Sequence, residues 1–160
     1  MNLLTKMKFI VDNMLGKSAK YLRMLGYDTI YPVPDEDEEI LKIASNQNRI
    51  IITRSKNLFE KQTQHRRVIL ISTNRFQDNF KEIIKKLGIE LDRNKLFSRC
   101  LECNNPIQNI AKTKVEDQLP PKVKEHFNKF TICHHCNKIY WKGGHTDRML
   151  KKAKKLFQMA

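Results

Sequence analysis

The chain has 160 residues and a formal net charge of +14, from 31 lysines and arginines against 17 aspartates and glutamates. This length fits one domain, or a domain of about 100 residues with a small appendage. No apolar run approaches the ~20 residues of a membrane span, and the first residues contain no apolar signal segment. We therefore expect a cytoplasmic protein that has no membrane partner.

The positive charge is unevenly distributed and favours a polyanionic partner. Residues 96–160 carry 13 basic and 5 acidic side chains, whereas residues 1–95 carry 18 and 12. Five of the acids form one run at residues 35–39. A pI near 9.8 is typical of nucleic-acid binding. The alternative is a lysine-rich surface that serves only solubility.

Hydrophobic periodicity predicts alternating strands and helices in the first 90 residues. The predicted strands are residues 8–12, 28–33, 49–53 and 67–72, and the predicted helices are 17–25, 37–47, a short one around 58–59, and 76–87. This order predicts an α/β domain of three layers with a mainly parallel sheet, which we assign to residues 1–93. Ligands of such sheets bind at the carboxyl ends of the strands, where Asp12, the segment 53–55 and the segment 72–74 lie.

All four cysteines belong to two CxxC pairs, Cys100 with Cys103 and Cys133 with Cys136. Two such turns supply the four thiolates of a closed tetrahedral zinc site. Redox-active dithiols are the alternative that this spacing leaves open. We predict a structural zinc ribbon in residues 94–160, with Tyr140 and Trp141 in one of its strands.

A final amphipathic helix is predicted over residues 146–157, with lysines on one side and apolar residues on the other. Its basic side is a candidate RNA-binding surface, and an ordinary solvated helix face is the alternative. Further basic residues lie near the predicted crevice and beside the ribbon. The complete set of predicted RNA-binding residues is Arg54, Lys56, Arg66, Arg67, Lys142, Arg148, Lys151, Lys152, Lys154 and Lys155.

Several motifs together resemble one family. They are the segment 14–29 (MLGKSAKYLRMLGYDT), Ile52-Thr53-Arg54, the first CxxC followed by Asn104, and the second CxxC followed by the segment 140–145 (YWKGGH). The chain resembles, from about residue 7 to residue 157, the PIN-like RNase domain found at the C-terminus of Mut-seven exonuclease homologues. The resemblance implies a PIN-like α/β fold with a zinc ribbon, and a metal-dependent endoribonuclease activity.

The resemblance also implies catalytic carboxylates around Mg²⁺ or Mn²⁺ ions, which activate water and neutralise phosphate charge. Asp12 matches the acid after the first strand, and Asp37 matches the acid that opens the second helix, with Glu38 as a near competitor. The third acid of the family follows a Thr-Arg pair, but here Ser55 follows Thr53-Arg54. Losing a carboxylate ligand should lower metal affinity or activity by at least about 10–100-fold. Asp78 is a possible substitute, although it also fits a simple first-turn helix acid.

Two functional hypotheses follow. In the first, the chain is a basic RNA-binding protein on a PIN-like RNase scaffold with a degraded nuclease site. It would be a monomer when free and would dock on structured RNA such as the ribosome, with ribosomal RNA and ribosomal proteins as its contacts, and would silence the particle. In the second, it is an active metal-dependent endoribonuclease. The missing acid at Ser55 and the net charge of +14 favour the first hypothesis.

Overall fold

A parallel sheet of four strands forms the first part of the protein. The computed structural model describes residues 7–61 and 67–160. The sheet has the order β2–β1–β3–β4. Its strands are β1 (Lys8–Val11), β2 (Asp28–Ile30), β3 (Ile50–Thr53) and β4 (Val68–Leu70). The predicted parallel α/β architecture is confirmed.

Alternating side chains of the central strands build two separate cores, one on each face of the sheet. Phe9 and Val11 of β1 point to one core, and Ile10 points to the other. The first core is covered by α1 (Gly16–Met24), α4 (Phe76–Leu87) and α6 (Gly144–Met159). The second is covered by α2 (Asp37–Asn46) and α3 (Lys56–Glu60). The predicted three layers are therefore present, and we call these two sets of helices the α1/α4/α6 layer and the α2/α3 layer.

Two strands are shorter than their hydrophobic runs predict, and side chains explain where they end. β2 ends at Ile30, because Pro32 has no N–H and the N–H and C=O of Val33 bond to the side chain of Asn13. β4 ends at Leu70, and just beyond it the N–H of Ser72 is taken by the carboxylate of Glu82.

The second part of the chain is a small antiparallel sheet with its own core. Its strands are β5 (Gln108–Ile110), β6 (Phe130–Ile132) and β7 (Ile139–Trp141). The segment between β5 and β6 forms two 3₁₀ turns and α5 (Pro121–His126). Val115, Leu119 and Phe130 form the buried apolar cluster of this second part. The ribbon is therefore a packed unit with the two CxxC turns beside it.

The last helix, α6, returns to the first core after the ribbon. It begins at Gly144, two residues earlier than predicted. Met149, Ala153 and Leu156 are buried among residues of β1, α1 and α4. The division into residues 1–93 and 94–160 stays a prediction. α6 follows the ribbon in sequence but packs with the α/β part in space. None of the helices in residues 7–61 and 67–160 has the length and hydrophobicity of a membrane span.

Candidate functional site

Asp12 follows β1 at the carboxyl edge of the sheet. From this edge the chain continues from β1 to β2 on one side and from β3 to β4 on the other, so the two connections diverge next to Asp12. Its Oδ2 accepts hydrogen bonds from the hydroxyl of Thr53 at 2.6 Å and from the N–H of Arg54 at 3.0 Å. Its Oδ1 accepts from the N–H of Met14 at 2.6 Å. Asp12 as a whole is 91% buried, and these three donors fix the direction of both of its carboxylate oxygens. The carboxylate thus joins the ends of β1 and β3 at the carboxyl edge of the sheet, where the ligands of parallel sheets bind.

Asp37 begins α2, but a lysine and an amide occupy its carboxylate. Asn57 donates to Oδ2 of Asp37 at 2.7 Å, and the ammonium of Lys61 lies 3.0 Å from the same oxygen. The ammonium also lies 3.2 Å from Glu38. These hydrogen bonds, to Asp37 and then to Glu38, raise the pKa of Lys61. The ammonium of Lys61, at the end of α3, therefore already neutralises the carboxylate of Asp37 at the start of α2.

The position of the family's third acid has a structural role in this chain. The hydroxyl of Ser55 accepts a hydrogen bond from the N–H of Leu58 at 3.1 Å and so caps the start of α3. Asp78 forms an ion pair with Lys81 at 3.3 Å in the first turn of α4. Among residues 7–61 and 67–160, the four cysteines are the one group of three or more metal-ligating side chains close enough to share an ion. Asp12, Asp37 and Asp78 do not converge in this way.

The four cysteine sulfurs converge as the sequence predicts. All of them lie within 4.8 Å of one another; the Cys103 and Cys133 sulfurs are 3.3 Å apart, and those of Cys100 and Cys136 are 3.6 Å apart. A tetrahedron with Zn–S bonds of about 2.3 Å has sulfur–sulfur edges of about 3.8 Å. Burial and the contact with Cys103 raise the pKa of Cys133, which a bound cation would reverse. The donor set therefore fits a structural zinc ion.

Both cysteine turns end in an asparagine with left-handed backbone geometry. Asn104 has φ 70° and Asn137 has φ 58°, a region that asparagine tolerates better than most residues. The N–H of each asparagine bonds back to the carbonyl of the first cysteine of its turn, at 3.0 Å and 2.7 Å. The shared pattern Cys-x-x-Cys-Asn therefore gives the two turns the same shape and aims their thiols at one point.

The first cysteine turn is attached to the parallel sheet by buried polar side chains. Arg23, which is 98% buried, donates to the carbonyls of Thr29, Tyr31, Leu101 and Glu102 at 2.6–3.0 Å. Burial lowers the pKa of Arg23, but a guanidinium stays charged in proteins. The hydroxyl of Tyr140 lies 3.0 Å from the Cys100 sulfur, and its burial and this sulfur raise the pKa of Tyr140. The ribbon is therefore joined to α1 and β2 at the metal-binding end.

The predicted RNA-binding residues lie in several places. On α6, the side chains of Arg148, Lys151, Lys154 and Lys155 are exposed and that of Lys152 is half-buried. Lys142 is exposed just after β7 and Lys56 is exposed at the start of α3. Arg54 lies at the crevice and contacts Asn74.

Arg67 does not lie near the crevice, although it belongs to the predicted RNA-binding set. It precedes β4 and donates to Asn48 at 3.2 Å, at the amino edge of the parallel sheet, because β4 runs from Arg67 toward the crevice rather than away from it. Arg66 lies outside the described residues. The structure therefore gathers the α6 residues on one surface and separates Arg67 from Arg54.

Three residues that shape the site are absent from the sequence prediction. Arg23 lies four residues after Ala19, so the helical period places this arginine on the same buried face of α1 and could have identified it. Asn13, next to Asp12, ties the loop before α2 to the end of β1. Lys61 gave no signal, because its partners lie more than 20 residues away in the sequence.

The model of the Mut7-C RNase domain family matches residues 7–153 of the chain. This match covers most of the sequence, and the chain belongs to that family. A search of curated proteins found no match. Membership in an RNase family implies RNA as the substrate class, and the family resemblance noted in the sequence is confirmed.

Proposed function

We propose that this chain is an RNA-binding protein on an RNase scaffold and that it docks on structured RNA such as the ribosome without cutting it. The observation that carries the proposal is the state of the three acid positions. Of the three acid positions, all within the described residues, Asp37 is paired with Lys61, Ser55 caps a helix, and only Asp12 keeps a carboxylate outside an ion pair. One carboxylate supplies too little negative charge for the paired hard cations of a nuclease site.

The charge of the chain supports RNA as the partner. A net charge of +14 attracts polyphosphates, and neutralising phosphates releases counterions, so binding weakens steeply with salt. Folded RNA in a cell is mostly ribosomal, and ribosomal RNA together with ribosomal proteins is the concrete target that we propose. Occupying a tRNA or mRNA site would silence the particle.

A sucrose gradient tests the docking. Tagged protein from lysate should sediment with ribosomal particles at low salt and should be released at high salt. Free protein at both salt concentrations would contradict the proposal. A matched sample in which the ribosomal particles are split by removing Mg²⁺ shows whether the protein follows one subunit, because the protein peak should then move with that subunit.

A cleavage assay tests the loss of nuclease activity. Wild-type protein with Mg²⁺ or Mn²⁺ should cleave single-stranded RNA no faster than Asp12→Asn. Ser55→Asp together with Lys61→Gln restores an acid and removes the resident cation, and should raise metal-dependent cleavage above Ser55→Asn with Lys61→Gln. The asparagine control keeps the helix cap, because asparagine and aspartate cap helices about equally well.

The second candidate function is an active metal-dependent endoribonuclease, and membership in the RNase family favours it. Asp12 and Asp37 would hold Mg²⁺ or Mn²⁺, with Lys61 displaced from Asp37 when RNA binds. Cleavage by wild-type protein that depends on the metal and disappears in Asp12→Asn would establish this function in place of the first.

A further inference from the structure

The two helix layers carry opposite net charge. Helices α1, α4 and α6 contain eleven basic and three acidic side chains, a net charge of +8, which includes the buried Arg23. Helices α2 and α3 contain two basic and four acidic side chains, a net charge of −2. Of the two faces of the parallel sheet, the one covered by the α1/α4/α6 layer is therefore the one that attracts a polyanion.

A basic groove runs between α4 and α6 in that layer. It has a volume of about 800 Å³ and is lined by the cations Lys81, Arg148, Lys151, Lys152, Lys154 and Lys155. Lys81 is partly neutralised by Asp78 at 3.3 Å. Within the part of the chain that the structure describes, the five basic residues of α6 have no carboxylate within 4.0 Å. Their charge is available to a ligand.

Phe76, at the start of α4, links this groove to the neighbourhood of the crevice. The ammonium of Lys152 lies 5.1 Å from the centre of the Phe76 ring, and the ammonium of Lys17 lies 4.9 Å from it. The two nitrogens are therefore at most about 10 Å apart. Lys17 stands in the first turn of α1, and the turn before it carries Asp12 and the exposed Met14. The cations continue from α6 to the mouth of the crevice.

We infer that the groove between α4 and α6 binds the sugar–phosphate backbone of RNA, and that Lys152 and Lys17 lead the strand past Phe76 to the crevice at Asp12. This inference rests on the proposed RNA-binding function and gives it a surface and a direction. An anionic membrane suits the same surface less well, because Met149, Ala153 and Leu156 of α6 are buried in the first core and, among the described residues, Met159 is the one large apolar side chain of α6 that is exposed, which is too little apolar area to anchor a helix in a bilayer.

Fluorescence anisotropy with labelled RNA tests the surface. The probes are a blunt hairpin and the same hairpin with a single-stranded tail, titrated with full-length protein between about 50 and 200 mM salt. The variants are Lys151→Gln with Lys155→Gln in the groove, and Lys17→Gln with Lys152→Gln at Phe76. The control is Lys8→Gln with Lys42→Gln, which removes the same charge from the amino edge of the sheet and from α2.

The plot of log K against log salt has a negative slope, and each lost phosphate contact should make it less steep by about 0.9 on a duplex and about 0.7 on a single strand. We expect the groove variant to make the plot less steep on both probes, and the Phe76 variant to make it less steep mainly on the tailed probe. The control should bind like wild type. If wild type binds and the groove variant matches the control, the groove assignment is wrong while the proposed function stands. If the Phe76 variant affects both probes equally, the path to the crevice is wrong, and if wild type binds neither probe, the proposed function fails as well.

Discussion

The carboxylate of Asp28 joins the parallel sheet to the first cysteine turn. Its Oδ1 accepts from the guanidinium of Arg49 at 2.7 Å and from the side-chain amide of Asn104 at 2.8 Å. Burial alone would raise the pKa of Asp28, but the hydrogen bonds from Arg49 and Asn104 outweigh it and lower the pKa below 3.8. The ionised form is therefore the one that the folded protein stabilises.

We predict that Asp28→Asn destabilises the protein at neutral pH by about 1.5–3 kcal/mol, the usual effect of losing hydrogen bonds to a charged group. The folded pKa lies below the unfolded one, so the contribution is complete above the unfolded value and is lost as pH falls through the folded value. Urea unfolding of wild type and variant should give free energies that converge as the pH falls below 3.8. Asp117→Asn, at an exposed position, is the control and should show no such difference at any pH.

At the residue scale, the sequence predicts side chains whose chemistry depends on local spacing. The metal-binding role of the two CxxC turns follows from cysteines three residues apart and is confirmed, and the cap that Ser55 gives to α3 also depends on a neighbour three residues away. The Lys61–Asp37 pair joins α3 to the start of α2, so only the packing of the second core brings it together. The family resemblance therefore predicts Asp37 as a metal ligand, whereas the tertiary contact pairs its carboxylate with Lys61.

At the element scale, the first cysteine turn serves as a cover for the edge strand β2. The side-chain oxygen of Asn104 accepts from the N–H of Thr29 at 2.9 Å, a backbone donor that an edge strand would otherwise expose. Arg23 bridges carbonyls on both sides of this junction. Folding of the turn and order in β2 are therefore linked through shared hydrogen bonds.

Removing zinc should consequently destabilise the whole chain and not the ribbon alone. Trp141, the single tryptophan, lies in β7 and reports on the ribbon, whereas far-UV circular dichroism reports mainly on the helices of the α/β part. With a strong chelator we expect both signals to melt together at a lower temperature than in the zinc-loaded protein. Zinc should restore the original melting temperature and Mg²⁺ should not, since thiolate sites select soft metals.

A shift of the Trp141 signal alone, with unchanged melting of the helices, would contradict this coupling. A zinc-loaded Arg23→Lys variant is the matched test of the junction, because lysine keeps the charge but cannot reach four carbonyls in a planar array. Its helices should melt at a lower temperature than those of wild type while its zinc content stays at one per chain. Lys85→Gln, on the exposed side of α4, controls for loss of a cation without loss of the junction.

The elements themselves follow well from periodicity, and their ends do not. All four predicted strands and helices of the first part are present, because apolar residues at periods of 2 and 3.6 mark the buried faces. β2 was predicted to reach residue 33 and ends at Ile30, since the Asn13 side chain takes the backbone groups of Val33. Such competition between a side chain and a neighbouring strand is a tertiary contact and leaves no trace in periodicity.

At the scale of the whole molecule, the sequence shows a large positive charge but not its separation into layers. The acidic run at residues 35–39 and the lysines of α6 are far apart in the chain, and only the packing of α2 on the second core and of α6 on the first places them on opposite faces of the sheet. Near a polyanion, this separation orients the protein, because the field of the α1/α4/α6 layer extends over about a Debye length of 8 Å at physiological salt.

The position of charge, and not only its sum, should therefore set RNA affinity. Lys151→Gln with Lys155→Gln lowers the net charge from +14 by two, and adding Glu36→Gln with Glu39→Gln returns it to +14. We expect the variant with all four substitutions to bind RNA as weakly as the variant with two. Its plot of log K against log salt should still be less steep than that of wild type by about 1–2. Anisotropy titrations of wild type and both variants measure this. Recovery of wild-type affinity in the four-fold variant would mean that RNA responds to net charge alone, because the restored charge lies on the α2/α3 side of the sheet, away from the proposed groove.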